Sequence, residues 1–124
     1  MTTMEHVTEN LKVAQEAHEN SLATEDIAII NKVKKIFNER IKINCTACSY
    51  CMPCPVGINI PGCFATYNDY WSFDGSLVAK QRYAIMSKLG TPASKCVECG
   101  KCESHCPQSI EIRKELKNVK ELFE

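Results

Sequence analysis

Two runs of cysteine decide what this chain can fold into. The first is Cys45-Thr-Ala-Cys48-Ser-Tyr-Cys51-Met-Pro-Cys54-Pro55, and the second is Cys96-Val-Glu-Cys99-Gly-Lys-Cys102-Glu-Ser-His-Cys106-Pro107. Together they hold eight of the nine cysteines, and each closes on Cys-Pro. Disulfide frameworks spread their cysteines over separated loops, whereas sulfurs crowded two or three residues apart point to metal.

The spacing names the kind of metal. An iron–sulfur cube has four iron corners, each taking one thiolate. A C-x-x-C-x-x-C loop wraps a cube and offers three sulfurs to three corners. A fourth cysteine placed soon after cannot easily turn back to the last corner. In the pattern C-x₂-C-x₂-C-x₃-C-P it serves the other cluster of a pair. The proline is expected to open the next helix, whose N-terminus would then direct partial positive charge at an anionic cluster. The second run matches this pattern position for position, while the first is one residue short between its third and fourth cysteines. Two [4Fe–4S] clusters are therefore expected. One is held by Cys45, Cys48, Cys51 and Cys106, the other by Cys96, Cys99, Cys102 and Cys54. Zinc fits less well, because zinc ribbons pair C-x₂-C knuckles and need no third cysteine followed by Cys-Pro. Dithiol chemistry of the C-x-x-C type would leave six sulfurs unexplained.

Other chemistry-bearing residues read as scaffold. Cys63, the ninth cysteine, is expected to be a small buried hydrophobe, although its position soon after the shortened run leaves a spare-ligand role open. His105 reads as an exposed loop residue that could tune potential by hydrogen bonding. Tyr67, Tyr70, Trp71 and Tyr83 read as core or as a shield that keeps water off the clusters. His6 and His18 lie on a polar helix and need no function.

Helical periodicity fills the remainder. The first twenty residues suggest a polar helix capped by Thr3, with a thin stripe of Val7, Leu11 and Ala14. A second helix is expected from Thr24 to about Arg40, with Ile27, Ile30, Val33 and Phe37 on its core face. Pro55 to Gly62 reads as an irregular connector. A short aromatic helix follows from Cys63 to about Trp71, and Asp74-Gly75 is a turn. Ser76 to Leu89 forms a further helix that offers Leu77, Tyr83 or Ala84, Ile85 and Leu89 to the core, with Gly90 as its cap. Thr91-Pro92 reads as a cap and first position of a restart. Ile110, Ile112, Leu116, Val119 and Phe123 line a last helix. A short strand near Ile41–Ile43 is the one exception to an all-α class. Residues 1–23 form an N-terminal helical arm and residues 24–124 the dicluster domain.

Composition excludes some functions. Fifteen basic and fifteen acidic side chains cancel, which removes the electrostatic case for nucleic acid. No apolar run approaches the ~18–20 residues of a membrane span. The polar, acid-bearing N-terminus is unlike a signal peptide, so a cytoplasmic location is expected, where thiols stay reduced.

The segment from Cys45 through Pro61, followed by Phe64 and Tyr67-Asn68, closely resembles the C-terminal iron–sulfur domain of a group of bacterial and archaeal aldo/keto reductases. Cys96 through Gln108, Ile110-Glu-Ile and Leu116 through Phe123 are similar to the close of the same domain, and Met1 through Asn10 to the exit from the barrel's last strand. The resemblance implies an α-helical ferredoxin fold, two [4Fe–4S] clusters and an oxidoreductase setting. The catalytic tetrad and nicotinamide site of such reductases belong to a (β/α)₈ barrel of about 250 residues, for which this chain has no room. No catalytic residue carries over. The expected function is electron transfer to a redox partner protein or to such a barrel, with self-association through the arm as a further expectation. The alternatives are a small ferredoxin subunit of a multi-subunit redox complex and a structural or redox-sensing iron–sulfur domain.

Overall fold

The computed structural model describes residues 2–124, so Met1 of the arm and of the resembling segment lies outside the described residues. Five α-helices follow in order, and no strand occurs among the described residues: α1 (Met4–Glu16), α2 (Thr24–Arg40), α3 (Ile60–Ser72), α4 (Leu77–Lys88) and α5 (Ile112–Phe123). Two 3₁₀ turns, Ala93–Lys95 and Glu103–His105, lie between α4 and α5. The chain divides into two compact units, Met1–Lys34 and Lys35–Glu124.

In the first unit Thr3 caps α1 as the sequence predicts, and α2 gains a side-chain contact at its start. Thr3 Oγ1 accepts the His6 amide at 3.3 Å, and Asp26 reaches back to the Ala23 amide at 3.2 Å. The expected core face of α2 does not form. Ile27, Ile30, Val33 and Phe37 are each about half exposed, and neither α1 nor α2 has a buried residue. Helical periodicity marks a face that could be buried, and two thin stripes are too little to close a core by themselves.

The second unit carries the core: Ile43, Ile58, Ile60, Cys63, Phe64, Tyr83, Ala93, Ile112, Leu116 and Val119. Burying each large apolar side chain here contributes roughly 1.5–3 kcal/mol. α3 packs on both α4 and α5. On α5, Ile112, Leu116 and Val119 are fully buried at helical spacing and Phe123 continues the stripe, as the periodicity predicts.

Four local expectations are corrected. α3 begins at Ile60 rather than Cys63, because Asn59 caps it through the Gly62 amide at 3.0 Å. Pro61 then occupies the first turn, where its missing N–H costs nothing. On α4 the buried face is Ala79 and Tyr83, with Met86 packed beside them, while Leu77, Ile85 and Leu89 are exposed. Tyr83 sets the rotation of this helix, and those three leucine and isoleucine positions fall on the far side. Thr91-Pro92 leads into a 3₁₀ turn instead of an α-helix, and the Thr91 hydroxyl turns back to the Met86 carbonyl at 3.0 Å. The expected strand at Ile41–Ile43 is absent, because the side chain of Asn68 takes the backbone groups that a neighbouring strand would have paired.

Candidate metal centre

The two cysteine runs are built on one backbone plan. Ala47 and Ser49 flank the second cysteine of the first run with φ of 55° and 64°, and Glu98 and Gly100 flank the second cysteine of the other with 54° and 76°. Left-handed residues of this kind recur in the backbone concavities that receive anions and iron–sulfur groups. Each loop is then tightened by the same bond. Met52 donates to the Ser49 carbonyl at 3.0 Å, and Glu103 to the Gly100 carbonyl at 3.1 Å. The runs differ only where their lengths differ: the 3₁₀ turn Glu103–His105 absorbs the additional residue of the second run.

The plan continues past the cysteines. Both runs read Cys-Pro-x-x-Ile-x-Ile, from Cys54 to Ile60 and from Cys106 to Ile112. Gly57 and Ser109 sit at the same place with positive φ, and each donates its amide to the carbonyl of the cysteine before the proline, at 2.9 and 3.1 Å. α3 and α5 begin at Ile60 and Ile112, so neither proline itself opens a helix. This corrects the expectation that the helix follows directly on Cys-Pro. A positive-φ turn and one isoleucine, the buried Ile58 or the half-buried Ile110, intervene, and the wider repeat was legible in the sequence as the recurring isoleucines.

The eight cysteines line two cavities at the edge of the core. The first, of about 230 Å³, is lined by five cysteines, Cys51, Cys54, Cys96, Cys99 and Cys102. The second, of about 20 Å³, is lined by Cys45, Cys48, Cys51 and Cys106. Cys48 and Cys99 are exposed, and the other six are half-buried against the core. All nine cysteines are free thiols. Burial pushes the Cys51 thiol up, and the neighbouring sulfurs of Cys45, Cys48 and Cys106 push it further. Burial does the same to Cys102, helped by the carboxylate of Glu103. Among the described residues, no three His, Cys, Asp or Glu side chains gather tightly enough for a single metal ion. Four soft sulfur donors around an apolar cavity fit an iron–sulfur cube, which needs its thiolates spread over separate corners.

The cavities differ in charge. From Ile43 to Asn68 the sequence has no charged side chain, and the second cavity's lining is wholly neutral. Lys101, His105 and Arg113 line the first. Arg113 is gripped by Glu103: its amide donates to Oε1 at 2.9 Å, its Nε to Oε2 at 2.9 Å, and Nη2 lies 2.7 Å from Oε2. The Arg113 hydrogen bonds hold the Glu103 carboxyl below the usual carboxylate range. Lys117 pairs with Glu98 at 3.0 Å. Two α5 cations thus strap two carboxylates of the second cysteine loop, a pairing that linear sequence could not reveal.

His105 is exposed, with Nδ1 2.8 Å from the Lys101 carbonyl oxygen and 3.1 Å from the Ser104 hydroxyl. Cys63 is completely buried, and burial raises its thiol to about 12. It lines neither cavity. Tyr67, Tyr70 and Tyr83 pack around Phe123, and Trp71 meets Tyr67 and Tyr70 edge-on. None of these four lines a cysteine cavity: Tyr83 belongs to the core, Tyr67 and Tyr70 are half-buried, and Trp71 is exposed; Tyr50 and Phe64 are the aromatic rings that do line them. The stacking of Phe123 on Tyr83 explains the difference, since it draws the cluster toward the C-terminal end of α5.

No helix among the described residues is long and apolar enough to cross a membrane. A family profile described as a 4Fe-4S dicluster domain matches residues 44–111, more than half of the chain. Comparison with curated proteins and with solved structures gave no match.

Proposed function

This chain belongs to the 4Fe–4S dicluster domain family, and from that premise we propose that it holds two [4Fe–4S] clusters and relays electrons between them as the ferredoxin-like module of an aldo/keto reductase-type oxidoreductase. Iron–sulfur electron transfer is the chemistry of the family. Cys45, Cys48, Cys51 and Cys106 are proposed to hold one cluster, and Cys96, Cys99, Cys102 and Cys54 the other. The observation that carries this reading is that the last cysteine of each run lines a cavity with three cysteines of the other: Cys54, together with Cys51, beside Cys96, Cys99 and Cys102, and Cys106 beside Cys45, Cys48 and Cys51. Cys51 lines both cavities, and the C-x-x-C-x-x-C spacing of its own run supports its grouping with Cys45 and Cys48.

When bound, the clusters supply one-electron chemistry at low potential. The chain's residues supply the thiolates, the backbone amides of the two loops and the apolar walls of Ile58, Ile60, Phe64, Ile110, Ile112 and Leu116. Thiolate ligands need a reducing compartment to persist, which supports a cytoplasmic setting. The reductase context rests on the resemblance of the Cys45–Asn68 segment, with the barrel or a separate redox protein as partner and the N-terminal arm, residues 1–23, as the docking or self-association element.

Anaerobic reconstitution followed by iron and sulfide analysis tests the proposal. About eight irons and eight sulfides per chain, bleached reversibly by dithionite, are expected. About four irons, or clusters that no reductant reaches, would overturn it.

A further inference from the structure

The two loops share backbone plan, positive-φ positions and closing hydrogen bonds. Amide donation to the clusters, one of the main levers on their potential, is therefore nearly matched. Each run leaves one ligand cysteine, Cys48 or Cys99, open to solvent. The two sites differ in side-chain charge. The cavity of Cys45, Cys48, Cys51 and Cys106 is bounded by Thr46, Ser49, Pro61, Phe64, Gln108 and isoleucines, all neutral. The cavity of Cys54, Cys96, Cys99 and Cys102 is faced by Lys101 and Arg113.

Glu103, the carboxylate that pairs with Arg113, and Glu98, which pairs with Lys117, line the outer surface shared with Glu111 and Lys114, and neither lines the cysteine cavity. The Arg113 guanidinium also lies against the cluster loop itself, 3.8 Å from where a Cβ on Gly100 would stand. Each reduction adds a negative charge to an already anionic group. A facing cation favours that step, and a charge-free, low-dielectric wall opposes it.

We propose that Arg113 and Lys101 make the second-run site the higher-potential of the two, so that an electron delivered to the chain comes to rest beside Cys96, Cys99 and Cys102. This rests on the two-cluster reading. The external donor loses one electron and the second-run site gains it; no bond to the protein forms or breaks. Arg113 acts here as a positioning residue for charge.

The test is an EPR-monitored redox titration of the reconstituted full chain at pH 8. Dithionite is the reductant, and iron and sulfide are counted first. Cys48→Ser and Cys99→Ser assign the two signals, because neither residue is a crossing ligand. Two midpoints are expected, the higher one belonging to the signal that Cys99→Ser perturbs. Arg113→Gln should lower that midpoint by about tenfold in the reduction equilibrium, about 59 mV for one electron, and leave the other unmoved. Arg113→Lys should restore most of it, which a purely structural role of the guanidinium fork would not. Glu103→Gln should move it upward. Lys101→Gln, on an exposed side chain, provides a variant that does not disturb the Glu103 pairing, and should lower the same midpoint by about threefold in the equilibrium. Eight irons with equal midpoints, or charge variants that move both midpoints alike, would overturn the inference and leave two clusters standing. About four irons, or one signal, would remove the two-cluster reading and the inference with it.

Discussion

Asn68 binds both sides of Ile43: its Oδ1 accepts the Ile43 amide at 3.0 Å, and its Nδ2 donates to the Ile43 carbonyl at 2.7 Å. The same Oδ1 accepts the Lys42 amide at 3.1 Å. One side chain on α3 thus does the work of a neighbouring strand, two residues before the first ligand cysteine. Asn68→Ala removes all three bonds and should cost about 2–3 kcal/mol in denaturant unfolding, because it strands backbone groups at the edge of the core. Asn68→Asp keeps the acceptor but loses the donor to Ile43, and should recover only part of that loss. Iron retention should fall in parallel, since Cys45 follows directly; full stability of Asn68→Ala would show the clasp to be idle.

Tyr83 joins α4 to the end of the chain. Its hydroxyl donates to Glu124 Oε1 at 2.6 Å and accepts the buried Ala93 amide at 2.8 Å, while the Ser94 amide donates to the same carboxylate at 3.1 Å. Burial pushes the Glu124 carboxyl up, but the Ser94 and Tyr83 bonds and the charge of Lys120 outweigh it and leave the group below its usual range. Burial, then the bond to Glu124, raises the Tyr83 phenol. A depressed carboxylate contributes stability above its unfolded pKa of about 4.3 and loses it as pH falls through the folded value. A raised phenol contributes fully below about 10 and loses its contribution as pH climbs toward the folded value. The raised Cys63 thiol acts in the same sense from about pH 8.5 upward, so stability should be flat between about pH 5 and pH 8 and fall on both sides. Tyr83→Phe should cost about 1–3 kcal/mol at neutral pH by orphaning the Ala93 amide, and should flatten the alkaline limb of a urea-midpoint profile.

Gly57 and Ser109 occupy equivalent turns with φ of 78° and 51°, but only one of them is glycine. A serine held in the left-handed region costs about 1–2 kcal/mol, partly offset by the freedom that glycine loses on folding. Ser109→Gly is expected to raise stability by about 0.5–1 kcal/mol. Nothing lies within 4 Å of a Cβ built on Gly57, so Gly57→Ala should lose about 1 kcal/mol through conformation alone. Opposite signs in paired thermal melts would check the equivalence of the two loops; a destabilising Ser109→Gly would break it.

Much of this was legible in the cysteine spacing, because ligand geometry constrains sequence directly. The number of loops, the all-α class and the boundaries of α2 followed from local pattern. Packing partners did not. Periodicity offered Leu77, Ile85 and Leu89 of α4 to the core, but the face buried is chosen by what Tyr83 can reach across 41 residues at Glu124. Asn68 looked like part of a motif, and its role as a substitute strand depends on a contact 25 residues away. The straps Arg113 to Glu103 and Lys117 to Glu98 are likewise tertiary. The second isoleucine repeat and the charge-free stretch from Ile43 to Asn68 were in the letters throughout, and neither a cysteine motif nor helical periodicity draws attention to them.

Cys63 separates ligand from core. It is fully buried, its sulfur stands 3.9 Å from the Thr91 carbonyl oxygen, and it lies outside both cavities. Cys63→Ala should leave the iron count unchanged and cost about 1 kcal/mol, the order for deleting one buried heavy atom. With its thiol raised to about 12, Cys63 should also resist iodoacetamide at neutral pH in the folded chain. Loss of iron from Cys63→Ala would make it a ligand after all.

The last cysteine of each run carries the sharpest test of the site. Cys54 shares its cavity with Cys96, Cys99 and Cys102, and Cys106 shares its cavity with Cys45, Cys48 and Cys51. Under the crossed assignment, Cys54→Ser should broaden or abolish the EPR signal of the second-run cluster, and Cys106→Ser that of the first. Serine offers a harder, more basic oxygen to iron, so the affected cluster should fall in potential or lose its unique iron rather than vanish cleanly. The untouched cluster should keep its midpoint in each variant, and about half of the iron should survive prolonged chelation. If each substitution instead harms the cluster of its own run, the fourth ligand turns back within its loop, and the shortened Met52-Pro53 link would have to supply a reversal that the 3₁₀ turn at Glu103–His105 does not make.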